Sequence, residues 1–149
     1  MDLSPEWVVG FVDAEGCFHV SLQCHPEMTA GYQVLPEFVV VQHQRDIGVL
    51  HALKRFFGCG VVRRNHGDRY AFRVRSLSDL EKVCEFFFKH PLKTKKNVDR
   101  RKFWRVLQIM KARRHLAASG LLEIVDIVVT MNRAQRPALD KIKRELQVG

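Results

Sequence analysis

The chain has 149 residues, 46% of them apolar, and carries a net charge of +9. That apolar content implies a globular rather than a disordered chain, the length suits a single domain over 1–149 with a real core, and the charge points to a polyanion, nucleic acid ahead of an acidic membrane. No apolar run approaches the roughly 18 residues of a membrane span, and the start lacks the basic-then-apolar pattern of a secretory signal, so neither membrane nor export is expected.

The first predicted element is a helix. Ser4 is placed to cap it, Pro5 suits its first position, and Glu6 complements the positive end of its dipole. It runs through Trp7-Val8-Val9-Gly10-Phe11-Val12-Asp13-Ala14-Glu15 and stops at Gly16. Gly10 and Ala14 lie four apart, so one face carries two small residues and admits another backbone, while Glu15 stands at the tip.

After Gly16 the period becomes two. Cys17, His19, Ser21, Gln23 and His25 alternate with Phe18, Val20, Leu22 and Cys24, the pattern of a half-buried strand. Turn formers fill 26–32, and a second strand spans about Gln33 to Gln44. Asp46 is placed to cap a helix presenting Ile47, Leu50, Leu53 and Phe57, which Gly58 ends. A strand at 60–65, a turn at His66-Gly67-Asp68 and a strand at 69–75 follow. Ser78-Asp79-Leu80-Glu81 reads as a capping box for a helix with Leu80, Val83, Cys84, Phe87 and Phe88 on one stripe, ended by Pro91. Helices are expected at about 97–113 and 137–147. Period alone allows either helix or strand for Leu121 to Met131.

The order helix, two strands, helix, two strands, helix implies an α+β fold, αββαββα, with an antiparallel sheet backed by helices and extra helices at the C-terminus. The polar positions then share the open face: His19, Ser21, Gln23, His25, Gln33, Glu37, Arg63, Asn65, Arg69, Arg73 and Arg75. A two-stranded ribbon fits the major groove; Arg suits guanine and Asn or Gln suits adenine. Any solvated sheet face is polar, but this one carries four arginines and almost no lysine or acid, which favours base reading. Leu35 and Val39 share its parity and either meet thymine methyls or cover the edge. A second basic cluster spans 93–114 with Asp99 as its only acid; its part from Lys111 to Arg114 reads equally as a solvated helix face or a phosphate clamp.

The four cysteines (Cys17, Cys24, Cys59, Cys84) show no pairing pattern and imply free thiols in a reducing compartment. Cys17, His19, Cys24 and His25 contain no C-x-x-C pair, so zinc is not expected. A general RNA-binding sheet would expose aromatics for stacking, whereas Phe18, Tyr70 and Phe72 have the buried parity.

Val8 to Gly16 resembles, position by position, the motif that names the LAGLIDADG homing endonucleases. Gly10, Asp13, Ala14 and Gly16 match as identities, and Glu15 replaces one acid by another. The resemblance extends over nearly the whole chain and favours a helix for 121–131. It implies the single-motif homodimeric type, with two motif helices side by side through Val9, Gly10 and Asp13. It further implies Mg2+ held by Glu15 and the Ala14 carbonyl, Gln42 ordering water, Lys95 near the scissile phosphate (Lys93 and Lys96 being the alternative registers), and Arg45 in the same basic pocket. The implied activity is a site-specific double-strand break with 3′ overhangs in a long pseudo-palindromic DNA target, serving intron homing. Maturase binding of intron RNA and non-cleaving DNA binding are the alternatives. Organelle and bacterial hosts both fit.

Overall fold

The computed structural model describes residues 1–132 and 137–148. Its elements are α1 (Pro5–Glu15), β1 (Gly16–Cys24), β2 (Tyr32–His43), α2 (Ile47–Phe57), β3 (Val61–His66), β4 (Arg69–Val74), α3 (Leu77–Lys89), α4 (Lys96–Lys111), α5 (Ala118–Val128) and α6 (Pro137–Val148). The four strands form one antiparallel sheet in the order β1-β2-β4-β3. None of the described helices is long and apolar enough to cross a membrane.

The sheet is two-sided because buried and less buried positions alternate along most of β1 and β2. Phe18 and Val20 on β1, Val34, Pro36, Phe38 and Val40 on β2, and Phe72 and Val74 on β4 are buried beneath the helices. Phe18, Phe38, Phe87 and Phe103 bring β1, β2, α3 and α4 into one aromatic core, with ring centroids 5.1 to 6.2 Å apart. A one-residue slip of β1 or β2 would turn its apolar row to solvent, so burial fixes their register.

Several boundaries differ from the sequence reading. β1 ends at Cys24, so His25 lies in the turn, where its amide donates to Gly31 and its carbonyl accepts from Met28. β2 ends at His43, with Gln42 opposite Tyr70. Ser76, not Ser78, caps α3 by accepting from the Asp79 amide at 3.3 Å, so the capping box at Ser78 does not form. Asp46 makes no side-chain cap to α2; His43 instead accepts the Arg45 amide at 3.1 Å, where β2 turns into a short 3-10 segment at Gln44–Asp46. Phe88 leaves the buried stripe and lies exposed over the Arg100 guanidinium, 4.3 Å from its ring centre. The segment from Leu121 is helical within α5.

Candidate active site and nucleic-acid interface

α1 starts as its sequence dictates, with Ser4 Oγ accepting the Trp7 amide at 3.2 Å. Val8, Val9 and Val12 face the core. Val9, expected on the face between two motif helices, therefore packs within its own chain, because its inward neighbours are apolar and the small residues lie on the other side. That outer face is Trp7, Gly10, Phe11 and Ala14, with the Trp7 and Phe11 rings stacked at 4.7 Å. A shallow cavity of about 320 Å³ runs along it from Glu6 to Glu15.

The chain passes from α1 into β1 with no intervening loop. A Cβ on Gly16 would stand 2.8 Å from Val12 Cγ1, so the junction requires glycine for close approach although its φ is an ordinary −82°. Glu15 is thus held at the rigid end of a helix, exposed, with no base in the last turn of α1. A carboxylate at the negative end of a helix dipole is electrostatically unfavourable and invites a cation.

The segment joining α3 to α4 folds back onto this point. The Lys93 amide donates to Asp13 Oδ2 at 2.7 Å, and the Thr94 amide and hydroxyl donate to Asp13 Oδ1 at 3.2 and 2.8 Å. In return Lys96 Nζ donates to the Val12 and Asp13 carbonyls, at 3.1 Å each, satisfying the end of α1. Asp13, expected between two helices, is committed to this contact within the chain. Lys95 Nζ lies 3.2 Å from Asp99 Oδ1, a buried carboxylate that also accepts the Asn132 amide at 3.4 Å. Asn132, in the left-handed region at φ 57°, donates its side-chain amide to Phe18 O. Asp13, Ala14, Thr94, Lys95, Lys96, Asp99 and Asn132 line one cavity of about 440 Å³. Gln42 and Arg45 line neither this cavity nor the one along α1. The Gln42 amide donates to Val41 O, and Arg45 is exposed beside Asp46.

On the open sheet face stand His19, Ser21 and Gln23 of β1, Gln33 and Glu37 of β2, Arg63 and Asn65 of β3, and Arg69 and Arg73 of β4. Arg75 follows one step beyond. Cross-strand pairing sets His19 opposite Glu37, and Arg73 between Val39 and Val61. Glu37 bridges Arg73 and Arg75 at 2.8 and 3.0 Å. A cavity of about 470 Å³ lies at one end of this face, lined in part by His19, Ser21, Gln23, Glu37 and Arg75.

The second basic cluster is largely paired. Lys111 meets Glu81, Arg105 and Arg114 share Glu123, and Lys102 donates to the Thr130 carbonyl. Its C-terminal half is a salt-bridged helix surface.

Residues 8–107 match the family model described as LAGLIDADG endonuclease. The chain belongs to that family. It is 28% identical over 131 residues to a probable intron-encoded endonuclease of Neurospora crassa, covering 85% of this chain and 24% of that protein. Among solved structures, the homing endonuclease I-TnaI superposes with a TM-score of 0.94 at 57% identity, covering 98% of this chain and 99% of that one. The LAGLIDADG homing endonuclease I-SmaMI bound to cleaved DNA gives 0.92 at 32% identity, covering 97% of this chain and 49% of that one. The chain spans about a quarter of the length of the curated fungal relatives it matches first.

In this LAGLIDADG chain the motif helix, Ala14 and Lys95 meet at one cavity, and the predicted polar positions apart from His25 share the open side of the sheet. The sequence reading missed Asp99, Asn132 and the Asp13–Thr94–Lys96 contacts. The one available signal was Asp99 as the lone acid of a basic stretch.

Proposed function

We propose that two copies of this chain form a site-specific DNA endonuclease. It cuts both strands of a long pseudo-palindromic duplex and leaves 3′ overhangs, in the manner of intron homing. The observation that carries this reading is the placement of Glu15 at a rigid helix end, with Ala14 shared between its face and the cavity holding Lys95.

Glu15 and the Ala14 carbonyl are oxygen donors suited to a hard ion, and the described residues hold no cluster of three or more metal-ligating side chains. Such a sparse donor set fits Mg2+, which keeps several waters and is completed by substrate phosphate. Bound there, it supplies Lewis acidity and lowers the pKa of water. Glu15 carries the charge that holds the ion. Lys95, free to swing from Asp99 by virtue of its exposed side chain, offers a cation to charge developing on the phosphoryl oxygens. Lys96 is occupied by the α1 carbonyls, and Lys93 presents only its amide to Asp13, so Lys95 is the better choice of the three. Gln42, near the end of β2, and Arg45, in the short 3-10 segment that follows, are assigned the water-ordering and cationic supporting roles that the family resemblance implies.

One chain supplies one Glu15, and two cut strands need two. The outward face of Trp7, Gly10, Phe11 and Ala14 supports a two-fold pairing of motif helices, because Gly10 has nothing within 4 Å of a Cβ and lets a second backbone approach. I-SmaMI, of which this chain spans about half, supports two such units acting on one duplex.

The test is cleavage of a randomised, palindrome-biased duplex library in Mg2+, with Glu15→Gln in parallel. The expected result is double-strand breaks at one long site, reduced at least 100-fold in the variant with binding retained. Selective binding without cutting by either protein would favour a non-cleaving or maturase role.

A further inference from the structure

The arginines of the open face are not equivalent. Glu37 lies nearly buried, its side chain 16% exposed, and both its oxygens are taken: Oε1 accepts from Arg73 Nη1 at 2.8 Å and Oε2 from Arg75 Nε at 3.0 Å. Arg73 is also enclosed and spends its other terminal nitrogen on Asn65 Oδ1 at 2.5 Å. Both of its terminal nitrogens are therefore engaged within the protein, on a side chain only 23% exposed. Arg75 is held only at Nε, and its side chain is 70% exposed. Among the described residues no acceptor stands at Arg75 Nη1 or Nη2.

Guanine presents O6 and N7 side by side in the major groove, and two coplanar N–H donors match them. The Nη pair of Arg75 is such a fork, anchored at its base. Anchoring removes rotamer freedom before DNA arrives, so less ordering is left to oppose binding. The same carboxylate is a poor acceptor for cytosine, since both of its oxygens already accept from arginines and its side chain is largely enclosed. We infer that Arg75 selects guanine at one base-pair position, repeated by symmetry where two copies bind, and that Glu37, Arg73 and Asn65 form its brace rather than three further readers. This rests on the proposal that the open face binds DNA.

The test uses selection for binding rather than cutting, so it stands apart from the active site. The full chain and its variants are equilibrated with a duplex library randomised across the half-site, in Ca2+, and bound DNA is sequenced. The wild type should enrich guanine about tenfold or more at the position in question. Arg75→Ala should bring that position to near parity and leave the others unchanged. Arg75→Lys, which keeps the charge and loses the fork, should do the same while retaining most of the affinity. Glu37→Gln should weaken the preference at that same position, and Arg73→Ala should add no second affected position. A uniform loss of affinity with Arg75→Ala, without a change at any position, would make Arg75 a phosphate contact and overturn the inference. An independent position lost with Arg73→Ala would overturn the division into reader and brace. A wild type that binds but enriches no guanine also overturns it, whereas one that binds no DNA overturns the recognition reading beneath it.

Discussion

Thr94 and Asp13 are joined twice, by the Thr94 amide and hydroxyl donating to one carboxylate oxygen at 3.2 and 2.8 Å. With the Lys93 amide on the other oxygen and Lys96 returning to the α1 carbonyls, the stitch crosses 80 residues of sequence. It locks the segment carrying Lys95 to the helix carrying Glu15. Two groups proposed to act on one phosphate are thereby held by one rigid joint, as orientation-dependent catalysis requires.

Asp13→Ala leaves two backbone N–H groups and a hydroxyl without their acceptor. Because Thr94 is exposed, water replaces part of the loss, and urea denaturation is expected to show a destabilisation of about 1–2 kcal/mol. Thr94→Val, which keeps the amide contact, should cost about 0.5–1 kcal/mol. Both should slow single-turnover cleavage at saturating DNA. A Thr94→Val protein that cuts at the wild-type rate would show that the joint does not position Lys95.

Lys95 and Lys96 separate by role. Lys95→Met removes the cation that pairs with the buried Asp99 carboxylate, so the double variant Lys95→Met/Asp99→Asn, which removes that buried charge as well, should hold the melting temperature while cleavage falls about 10- to 100-fold. Lys96→Met removes two bonds to the carbonyls of α1 and should lower stability by about 1 kcal/mol as well as activity. Paired melts and cleavage rates decide it: equal destabilisation by the two variants would remove the distinction.

What the sequence made legible was local. Strand faces followed from residues such as Phe18 and Val20 set against His19 and Ser21, because burial and period 2 act on neighbours. The motif helix followed from Ser4, Pro5 and Gly16. Choices between equivalent local signals were less secure. Ser76 and Ser78 both precede α3, and tertiary packing of Leu80 and Val83 decides which one caps it. Long-range polar contacts were invisible, since nothing in the pattern around Asp13 says that Lys93 and Thr94 return to it. Phe88 failed for a related reason: its helical spacing fits the buried stripe, but the surface available to it is the Arg100 guanidinium.

Two glycines of the motif should behave oppositely. Gly16→Ala forces a methyl to within 2.8 Å of Val12 Cγ1 and 3.0 Å of its carbonyl oxygen, an overpacking expected to cost about 1–3 kcal/mol. Gly10→Ala meets nothing within 4 Å in one chain, so the isolated fold should keep its stability. Sedimentation should nevertheless show weaker self-association for Gly10→Ala if Gly10 lies between two helices. An unchanged dimer, or a monomeric wild type, would move the contact elsewhere.

Alkaline pH should weaken the fold through Cys84. Burial raises this thiol from an ordinary 9.0 to about 12, with nearby Arg100 opposing the rise and Glu81 and Glu85 adding to it. The folded chain therefore keeps the proton that the unfolded chain releases above pH 9. The stabilisation is complete below pH 9 and is lost as pH climbs toward 12, at about 1.4 kcal/mol per pH unit. Tyr32, also raised to about 12 by its hydrogen bond to Glu145, acts in the same direction above pH 10, though its exposure lets solvent screen much of the effect. Urea melts between pH 8 and 10 test the thiols: Cys84→Ala should reduce the decline that the wild type shows from pH 9, and Cys59, whose thiol burial also pushes up, contributes to what remains. The same burial should keep Cys84 unreactive toward a thiol reagent in the native protein at pH 8, while exposed Cys24 reacts at once. Rapid native labelling of Cys84 would mean that the core around α3 opens far more readily than its packing implies.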